Sequence, residues 1–329
     1  MAGQSKIVIC CTTRLRPKMF TNWLHSTRHI ERPAGMDVEF VVVENGSRKT
    51  LNEVIQAERN RPADERVIHY VLEPKLGISN ARNAAVDKAL SIDATYIVFV
   101  DDDEILTRDW VSILVQDCMA QGALLLGGPV RPLIDRTGLG RYHKALATGI
   151  AKRYYTVEKL NGERFRRGRI SQITIVTNNW IGHRSLFDEH GLRFSEALGF
   201  SGGEDTRFFR DALEKGVKTG WSERAFVYET VPRERISLRH QYLRHKSQAL
   251  AHLRDKRRRY KGSAAWFTIS ALSITAVRAL TAICIQLPMV PLTGGSSAVA
   301  VARNLGWCHG RILEFLGGNA DYYRHTTGD

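Results

Sequence analysis

The stretch that decides the fold is TYIVFVDDDEIL, residues 95–106, in which a run of β-favouring apolar residues ends in three aspartates. An unbroken apolar run of this length is typical of a strand that is buried on both faces. Three neighbouring carboxylates repel one another, and nothing within the stretch neutralises them. We therefore expect Asp101, Asp102 and Asp103 to lie just beyond a buried strand and to await a positive charge that arrives with a ligand.

Strands and helices alternate around this stretch. Apolar runs and helical periodicity predict strands over residues 6–13, 38–47, 66–73 and 95–100, and helices over residues 18–29, 51–58, 77–90 and 108–122. The alternation indicates βαβ units and a mostly parallel central sheet, which is the α/β fold class. Ser79 or Asn80 is the expected N-terminal cap of the third helix.

Polar residues follow three of the predicted strands. They occupy positions 12–14, 44–47 and 101–103, and include Thr12, Arg14 and Glu44. Ligands of parallel sheets bind beyond the carboxyl ends of the strands, where these positions meet. The convergence of three strand ends predicts a ligand site at this edge of the sheet.

The second half of the chain does not continue the regular alternation of strands and helices. Residues 141–170 are basic and only weakly periodic, so no definite element is predicted there. Further on, the pattern predicts a strand over residues 173–180, a glycine-rich loop opening a helix over residues 202–216, and a final strand pair over residues 218–231.

The positive charge of the chain is concentrated in one segment. The 329 residues carry a net charge of +14, and residues 232–261 hold 11 Lys and Arg against two acids. A basic cluster suggests nucleic acid, an anionic membrane surface or a phosphorylated substrate as partner. No aromatic platform accompanies the cluster, which disfavours nucleic acid.

The basic segment is followed by an apolar one. Residues 263–290 carry a single charge, Arg278, and are long enough for a bilayer core, which needs about 20 apolar residues. Lys and Arg beside such a segment mark its cytoplasmic side and attract anionic lipid. We predict attachment of residues 263–329 to the cytoplasmic face of the cell membrane. Whether 263–290 spans or lies in the interface stays open, and core helices packed on the catalytic part are the alternative.

The N-terminal residues and the cysteines indicate the cellular compartment of the protein. The N-terminus shows no signal-peptide pattern, because its apolar run is short and enters a basic loop. Five scattered cysteines give neither a zinc spacing nor a disulfide framework. We therefore expect the catalytic part to stay in a reducing cytoplasm.

Several residue groups carry candidate chemistry, each beside a plainer explanation. Asp101 and Asp103 suit Mg²⁺, which takes one or two carboxylates plus phosphate oxygens, although solvated turn acids are the alternative. Glu204 and Asp205 begin a predicted helix, where they act either as a general base or as compensation for the helix dipole. Arg82 is either a diphosphate clamp or a solvated helix residue.

Taken together, these residues describe one task. A metal, an arginine and a base-binding acid, Glu44, would hold a nucleotide diphosphate. A second carboxylate would activate an attacking hydroxyl, and the metal would stabilise the departing diphosphate. This combination predicts sugar transfer from a nucleotide-sugar.

Five motifs of the chain resemble those of family 2 glycosyltransferases with the GT-A fold. They are VVVENGS, GISNARNAAV, YIVFVDDDEI followed by DW, TNNWIGHRSLF and GGEDTRFFRDALEKG, and they occur in the family's order between residues 6 and 232. The ending VYETVPRERISLRHQYLRHKSQ resembles exopolysaccharide transferases of the succinoglycan type, which act on lipid-linked sugars.

The resemblance implies roles for individual residues. It implies an inverting transfer from a donor such as a UDP-sugar, with Mg²⁺ or Mn²⁺ as cofactor. Glu44 would contact the nucleobase, Arg82 the diphosphate, Asp101 and Asp102 the ribose or metal, Asp103 the metal and Asn179 the donor sugar. Asp205 would be the catalytic base, with Glu204 beside it.

The chain departs from the family pattern at several positions. Asn45 replaces the second acid of the nucleobase turn, which leaves the choice of base open. Asn178 replaces a glycine and His183 an arginine, and both substitutions bear on donor preference. The processive QxxRW motif lacks its tryptophan in RHQYLRHK, residues 239–246, which favours the addition of a single sugar.

The resemblance also divides the chain. Residues 1–232 would form the catalytic domain, with a nucleotide-sugar-binding half over 1–128 and an acceptor-binding half over 129–232. Residues 233–262 would form a basic helical segment and residues 263–329 the membrane-associating region. Two other functions stay open: another metal-dependent nucleotide enzyme, such as a nucleotidyltransferase, and a non-enzymatic module that binds lipid or nucleic acid.

Overall fold

A seven-stranded sheet forms the centre of the protein, seen in a computed structural model that describes residues 5–61, 65–198 and 202–318. Its strand order is β3-β2-β1-β4-β8-β6-β9. The strands are β1 (Ser5–Thr13), β2 (Met36–Asn45), β3 (Val67–Glu73), β4 (Tyr96–Asp101), β6 (Leu125–Gly127), β8 (Trp180–His183) and β9 (Thr219–Trp221). All neighbours are parallel except β8, which is antiparallel to β4 and β6. The predicted α/β class and mostly parallel sheet are confirmed.

The register of the sheet brings the polar strand ends together. Thr13 lies opposite Glu44 on β2, and Thr12 lies opposite Asp101 on β4. The interiors of β1 and β4 are almost fully buried, because helices cover both faces of the sheet. The predicted convergence at the carboxyl edge is therefore present.

A second, three-stranded sheet continues from the aspartates. It has the order β5-β10-β7, formed by β5 (Glu104–Leu106), β10 (Val227–Thr230) and β7 (Val130–Leu133). β5 begins directly after Asp103, and the Glu104 carboxylate accepts a hydrogen bond of 2.8 Å from the Asp101 amide. The strands predicted over 218–231 both form, but they do not pair, because β9 joins the large sheet and β10 the small one.

Helices surround the sheets and build the C-terminal region. They are α1 (Pro17–Ser26), α2 (Asn52–Arg59), α3 (Ile78–Ser91), α4 (Trp110–Gln121), α5 (Arg141–Arg166), α6 (Ser185–Asp188), α7 (Glu204–Glu214), α8 (Leu238–Arg259), α9 (Ala264–Leu280), α10 (Met289–Leu292) and α11 (Ala298–Phe315). A π-helical stretch, Thr281–Gln286, joins α9 to α10.

Two local predictions were wrong, and one helix was not predicted. The N-cap of α3 is Gly77 with φ 133°, a conformation that favours glycine, rather than Ser79 or Asn80. Residues 141–166 form the 26-residue helix α5, in which few side chains are buried, so the apolar period is weak. Residues 173–179 are irregular rather than a strand, and only Trp180 onward joins the sheet.

The C-terminal helices pack closely on one another. A Cβ atom added to Gly306 would lie 2.2 Å from the Tyr242 carbonyl oxygen, and one added to Gly310 would lie 2.0 Å from that of Lys246. The two glycines thus let the α11 backbone contact the α8 backbone directly. Helix α11 also contacts α9, and Leu253 of α8 packs in one apolar cluster with Phe267 and Ala271 of α9, so the three helices pack on one another.

Candidate active site

A cavity of about 710 Å³ opens at the carboxyl edge of the large sheet. Thr12, Arg14 and the three aspartates line its sheet side, and Glu204 and Asp205 line it from α7. Residues of α5, α8, α9 and α11 complete the wall. The cavity brings together acids from two parts of the chain about a hundred residues apart.

The aspartate triplet already has arginine partners within the protein. The Arg16 guanidinium donates to Asp102 and, at 2.7 Å, to Asp103, while Arg235 donates to Asp103 at 2.9 Å. The expectation that only a ligand would supply the positive charge was therefore wrong. The sequence hides these partners because Arg16 follows a different strand and Arg235 is 132 residues away.

The carboxylates of the triplet differ in their electrostatics. Burial raises the pKa of Asp102 to about 7, although Arg16 and a 2.6 Å hydrogen bond from the Thr13 hydroxyl oppose the shift. Burial acts on Asp103 as well, but Arg16 and Arg235 together hold its pKa below the usual value. Asp103 is thus the more firmly charged of the two.

Arg82 joins the two groups of acids. Its guanidinium donates to Asp101 at 3.2 Å and forms a close ion pair with Glu204, and the Arg82 side chain is only 6% exposed. Burial raises the pKa of Glu204 to about 7, against the influence of Arg82. With both terminal nitrogens engaged by carboxylates, Arg82 has the contacts of a positioning residue.

The GGED segment places Asp205 at the cavity. Gly202 and Gly203 both adopt positive φ, 75° and 90°, so the chain turns sharply into α7. Glu204 then faces inward toward Arg82, while Asp205 stays partly exposed at the start of the helix and lines the cavity. Of the two acids, Asp205 is the accessible one.

The turn after β2 is stabilised by hydrogen bonds from the protein interior. The Glu44 carboxylate is buried and accepts hydrogen bonds from the Thr50 amide at 2.8 Å, the Thr50 hydroxyl and the Tyr70 hydroxyl. Asn45 lines the cavity and donates at 2.9 Å to the carbonyls of Glu73 and Lys75. Glu44 therefore shapes the turn, and Asn45 is the residue of the pair at the cavity surface.

Asn179 does not face the cavity. It is 1% exposed, its amide nitrogen donates to the carbonyls of Pro129 and Ala225 at 2.9 and 2.8 Å, and its oxygen accepts from the Trp110 indole at 2.8 Å. Asn178 lines the cavity instead. The prediction that Asn179 lines the site is therefore wrong, because Asn178 takes that place in the cavity wall.

His183 lies far from the site. It pairs with Tyr96 at the opposite end of β4 from Asp101, and its ring packs edge-on against the Tyr96 ring. The ring nitrogen Nδ1 lies 2.8 Å from the Ser185 hydroxyl. This departure from the family pattern therefore does not contact a ligand in the cavity.

Sequence reasoning missed several residues of the cavity wall. They are Arg153 on α5, and His240, Arg244, His245 and His252 on α8, together with Arg278 and Trp307. The dense charge of residues 232–261 was the available signal, but it was assigned to the membrane surface. Part of that basic segment instead faces the cavity.

The acids at the strand ends fit a divalent cation. Mg²⁺ and Mn²⁺ prefer hard oxygen ligands, and Mg²⁺ commonly takes one or two carboxylates with phosphates supplying the rest. The Asp101 side chain is 38% exposed at the cavity, with Asp103 beside it. No cluster of three or more side chains that could hold a metal occurs among the described residues. A site in which phosphate oxygens supply the remaining ligands does not need one.

Comparison with known proteins places this site in a family. The model of glycosyl transferase family 2 matches residues 6–191. The succinoglycan biosynthesis protein ExoM of Rhizobium meliloti (strain 1021) is 30% identical over 234 residues, which cover 69% of this chain and 67% of ExoM. The match includes more than half of the chain and thus identifies the family.

Solved structures share the fold. The mannosyltransferase PcManGT from Pyrobaculum calidifontis, in complex with GDP-Man and Mn²⁺, has a TM-score of 0.61 at 15% identity and aligns over 97% of this chain and 89% of its own. S. aureus TarS 1-349 in complex with UDP-GlcNAc has a TM-score of 0.50 at 16% identity over 97% and 93%. The chain is an enzyme of the GT-A fold and belongs to glycosyl transferase family 2.

Proposed function

We propose that this protein is a metal-dependent, inverting glycosyltransferase that adds one sugar from a nucleotide-sugar, most simply a UDP-sugar, to a lipid-linked saccharide. The observation that carries the proposal is the single cavity in which Arg82 connects Asp101 to the Glu204–Asp205 pair. The similarity to a succinoglycan biosynthesis protein supports a role in exopolysaccharide synthesis.

The reaction divides the work among these residues. Asp205 takes the proton of the acceptor hydroxyl, whose oxygen attacks the anomeric carbon from the face opposite the leaving group. The bond from that carbon to the diphosphate oxygen breaks, and a nucleoside diphosphate leaves. Asp101 and Asp103 are the residues that would hold Mg²⁺ or Mn²⁺, which would neutralise the charge of the diphosphate when bound.

The remaining residues orient the donor. Asn45 and Thr12 line the cavity where the β1 and β2 ends meet, and Asn178 lies on the β8 side. Arg14 lines the same edge and is available to a phosphate, whereas Arg16 and Arg82 hold the acids in place. We expect the loops within residues 131–180 and 195–205 to select the sugar. Residues 199–201 of these loops lie outside the described residues.

A comparison of two variants on one helix tests the catalytic assignment. Asp205→Asn should lower kcat by about 100-fold or more, the usual worth of a general base, with the donor KM changed little. Glu214→Gln, an exposed acid at the other end of α7, is the control and should remain active. The assay follows nucleoside diphosphate release from a panel of nucleotide-sugars with Mn²⁺ and a lipid extract as acceptor.

Two outcomes would contradict the proposal. Full activity of Asp205→Asn would show that Asp205 is not the catalytic base. Release of pyrophosphate instead of nucleoside diphosphate would establish the nucleotidyltransferase alternative.

The apolar C-terminal helix supports membrane attachment. Within the described residues, the segment Ala264–Gln286 is long and apolar enough to cross a bilayer, and only 17% of an 18-residue window of it is buried in the protein. Its exposed side chains include Trp266, Ile269, Ile274 and Val277, which are 52–65% exposed. So large an apolar face on one side of a helix favours contact with lipid.

Arg278 and Gln286 of this segment contact the protein. Arg278 donates to Asn304 at 2.6 Å and lies over the Trp307 ring, and the Asn304 amide donates to Gln286 at 2.7 Å. Helix α11 contacts both α9 and the charged helix α8. If α9 crossed the bilayer, α8 would therefore be drawn into the hydrocarbon with it. We therefore propose that α9 lies in the membrane interface on the cytoplasmic side rather than crossing the bilayer.

Vesicle flotation tests this attachment. Val277→Asp should lower the bound fraction on phosphatidylglycerol-containing vesicles severalfold, while Leu160→Asp, an exposed apolar position on α5, should not. Resistance of the bound protein to alkaline carbonate extraction would contradict an interfacial placement and indicate a span.

A further inference from the structure

We propose that a second cavity binds a pyranose ring of the acceptor saccharide, at a distance from the ring that reacts. This cavity has a volume of about 300 Å³, and none of its lining residues lines the larger cavity. None of them belongs to the five motifs shared with the family. The inference rests on the proposed function, to which it adds a sugar subsite outside the catalytic cavity.

The second cavity lies at the same edge of the large sheet as the first. Pro129, two residues beyond the end of β6, and Trp221, the last residue of β9, both line it. The register sets Trp221 level with Gly127, and both level with Phe99, two residues before Asp101. In the sheet, β6 and β9 are two and three strands away from β4. The strand spacing therefore separates the second cavity from Asp101 by about 10–15 Å.

Helix α5 gives an independent measure of this separation. Arg153 lines the first cavity, whereas Glu158 and Gly162 of the same helix line the second. An α-helix rises 1.5 Å per residue, so these positions are about 8–14 Å apart along the helix axis. Both measures correspond to the length of a short oligosaccharide, so a single acceptor chain is long enough to contact both cavities.

The wall of the second cavity presents hydrogen-bonding groups that are already oriented. The Arg131 guanidinium donates to the Glu158 carboxylate at 2.7 and 3.1 Å and stacks over the Phe226 ring at 3.8 Å. Arg166 forms a close ion pair with Glu223. The four paired side chains are 22–58% exposed. They are therefore held in place by each other and still accessible to a ligand.

An aromatic side chain and a glycine complete the wall. Tyr155 is 51% exposed and lines the cavity together with the buried Trp221. A Cβ atom added to Gly162 would lie 2.4 Å from Oε1 of Glu223, so any other residue there would displace the ion pair of Glu223 with Arg166. The exposed Tyr155 ring supplies an apolar surface beside the charged groups.

A sugar ring suits this wall better than a simple anion or an apolar group. Sugar hydroxyls both donate and accept hydrogen bonds, and the wall alternates arginine donors with carboxylate acceptors. The C–H face of a pyranose can pack on the Tyr155 ring. A simple anion would meet two carboxylates, and an apolar group would remove water from two ion pairs without replacing its hydrogen bonds.

Saturation-transfer NMR of the full chain in zwitterionic micelles tests the site without turnover. The probes are glucose oligomers of two to six units in β-1,3 and β-1,4 linkage, and UDP with Mn²⁺ reports on the first cavity. Tyr155→Ala should raise the Kd of the oligomers about fivefold to tenfold and leave UDP binding within about twofold. Tyr155→Phe, which keeps the ring, should recover most of the affinity. Tyr142→Ala removes a similarly exposed tyrosine of α5 that lines neither cavity, and it is the matched control.

Sugar transfer to a lipid extract provides a second readout. Tyr155→Ala should raise the acceptor KM about fivefold, while kcat and the donor KM stay within about twofold, because the reacting atoms lie in the first cavity. A lower kcat at an unchanged acceptor KM would overturn the proposal, since Tyr155 would then act on the catalytic cavity.

The binding experiment has outcomes of its own. Absence of oligomer binding, or equal binding by Tyr155→Ala and the unmodified protein, would overturn the proposal. Equal weakening of UDP and oligomer binding would overturn it as well. The Asp205→Asn variant should bind the oligomers normally, so failure of the proposed function and failure of this site are distinguishable.

Discussion

The ion pair of Arg82 and Glu204 is the most informative interaction to perturb, because it decides what Arg82 does. The variants are Arg82→Gln, Glu204→Gln and the double substitution. If Arg82 only positions the acids, replacing both partners by neutral amides removes the need for the pair. If Arg82 instead binds the donor diphosphate, the double variant should have the same weakened donor KM as Arg82→Gln.

The size of the effect follows from burial. Arg82 and Glu204 are 6% and 7% exposed, and removing one partner of such a buried pair costs about 3–5 kcal/mol. The contact with Asp101 adds little, about 0–1 kcal/mol, because the Asp101 side chain is 38% exposed and screened by solvent. We expect each single variant to lose about 3 kcal/mol and the double variant to lose about 3–4 kcal/mol.

Urea unfolding and donor kinetics provide the two measurements. The cycle should give a coupling energy of about 2–3 kcal/mol, within the range for residues in direct contact. The double variant should recover a donor KM within about threefold of that of the unmodified enzyme, unlike Arg82→Gln alone. A coupling energy below about 0.5 kcal/mol would refute the pair, and an unrecovered donor KM would refute the positioning role.

Three further predictions concern packing, pH and metal. Gly310→Ala forces a methyl group onto an α8 carbonyl oxygen and should cost about 1–3 kcal/mol in urea unfolding, whereas Gly140→Ala, which meets no neighbour within 4 Å, should be nearly neutral. Arg28 and Arg66 hold the pKa of Glu58 below its ordinary 4.5 despite burial, so Glu58 stabilises the fold above that pH and loses its contribution as pH falls through the folded-state pKa. The stability gap between the unmodified protein and Glu58→Gln should therefore narrow below pH 4.5, and a constant gap would contradict the linkage. Chelation with EDTA should abolish sugar transfer and Mn²⁺ should restore it; transfer by the metal-free protein would exclude a required cation.

The parts of the fold that could be predicted are those governed by local pattern. The first four strands and the helix at Glu204 were found because buried parallel strands and amphipathic helices have distinct periods. Helix α5 was missed because only a few positions such as Leu146 and Ile150 are buried, so most of its surface follows no apolar period. Ile173 and Ile175 suggested a strand, but both are buried in irregular chain.

The parts of the site that could not be predicted depend on distant contacts. The sequence indicates that Asp103 carries charge, but its partner Arg235 comes from beyond the catalytic motifs. Similarly, the choice between Asn178 and Asn179 depends on which side chain turns inward to Trp110. Such orientations are set by tertiary packing, so a motif can identify a segment and still miss by one position the residue that lines the cavity.

The backbone contact between α8 and α11 has a mechanical consequence. Side chains can change rotamer and absorb a displacement, but two backbones in direct contact move together. Helix α8 forms part of the cavity wall, and α11 carries the apolar helix α9. If α9 lies on the membrane as proposed, its position there is therefore coupled through α11 to the α8 wall of the cavity.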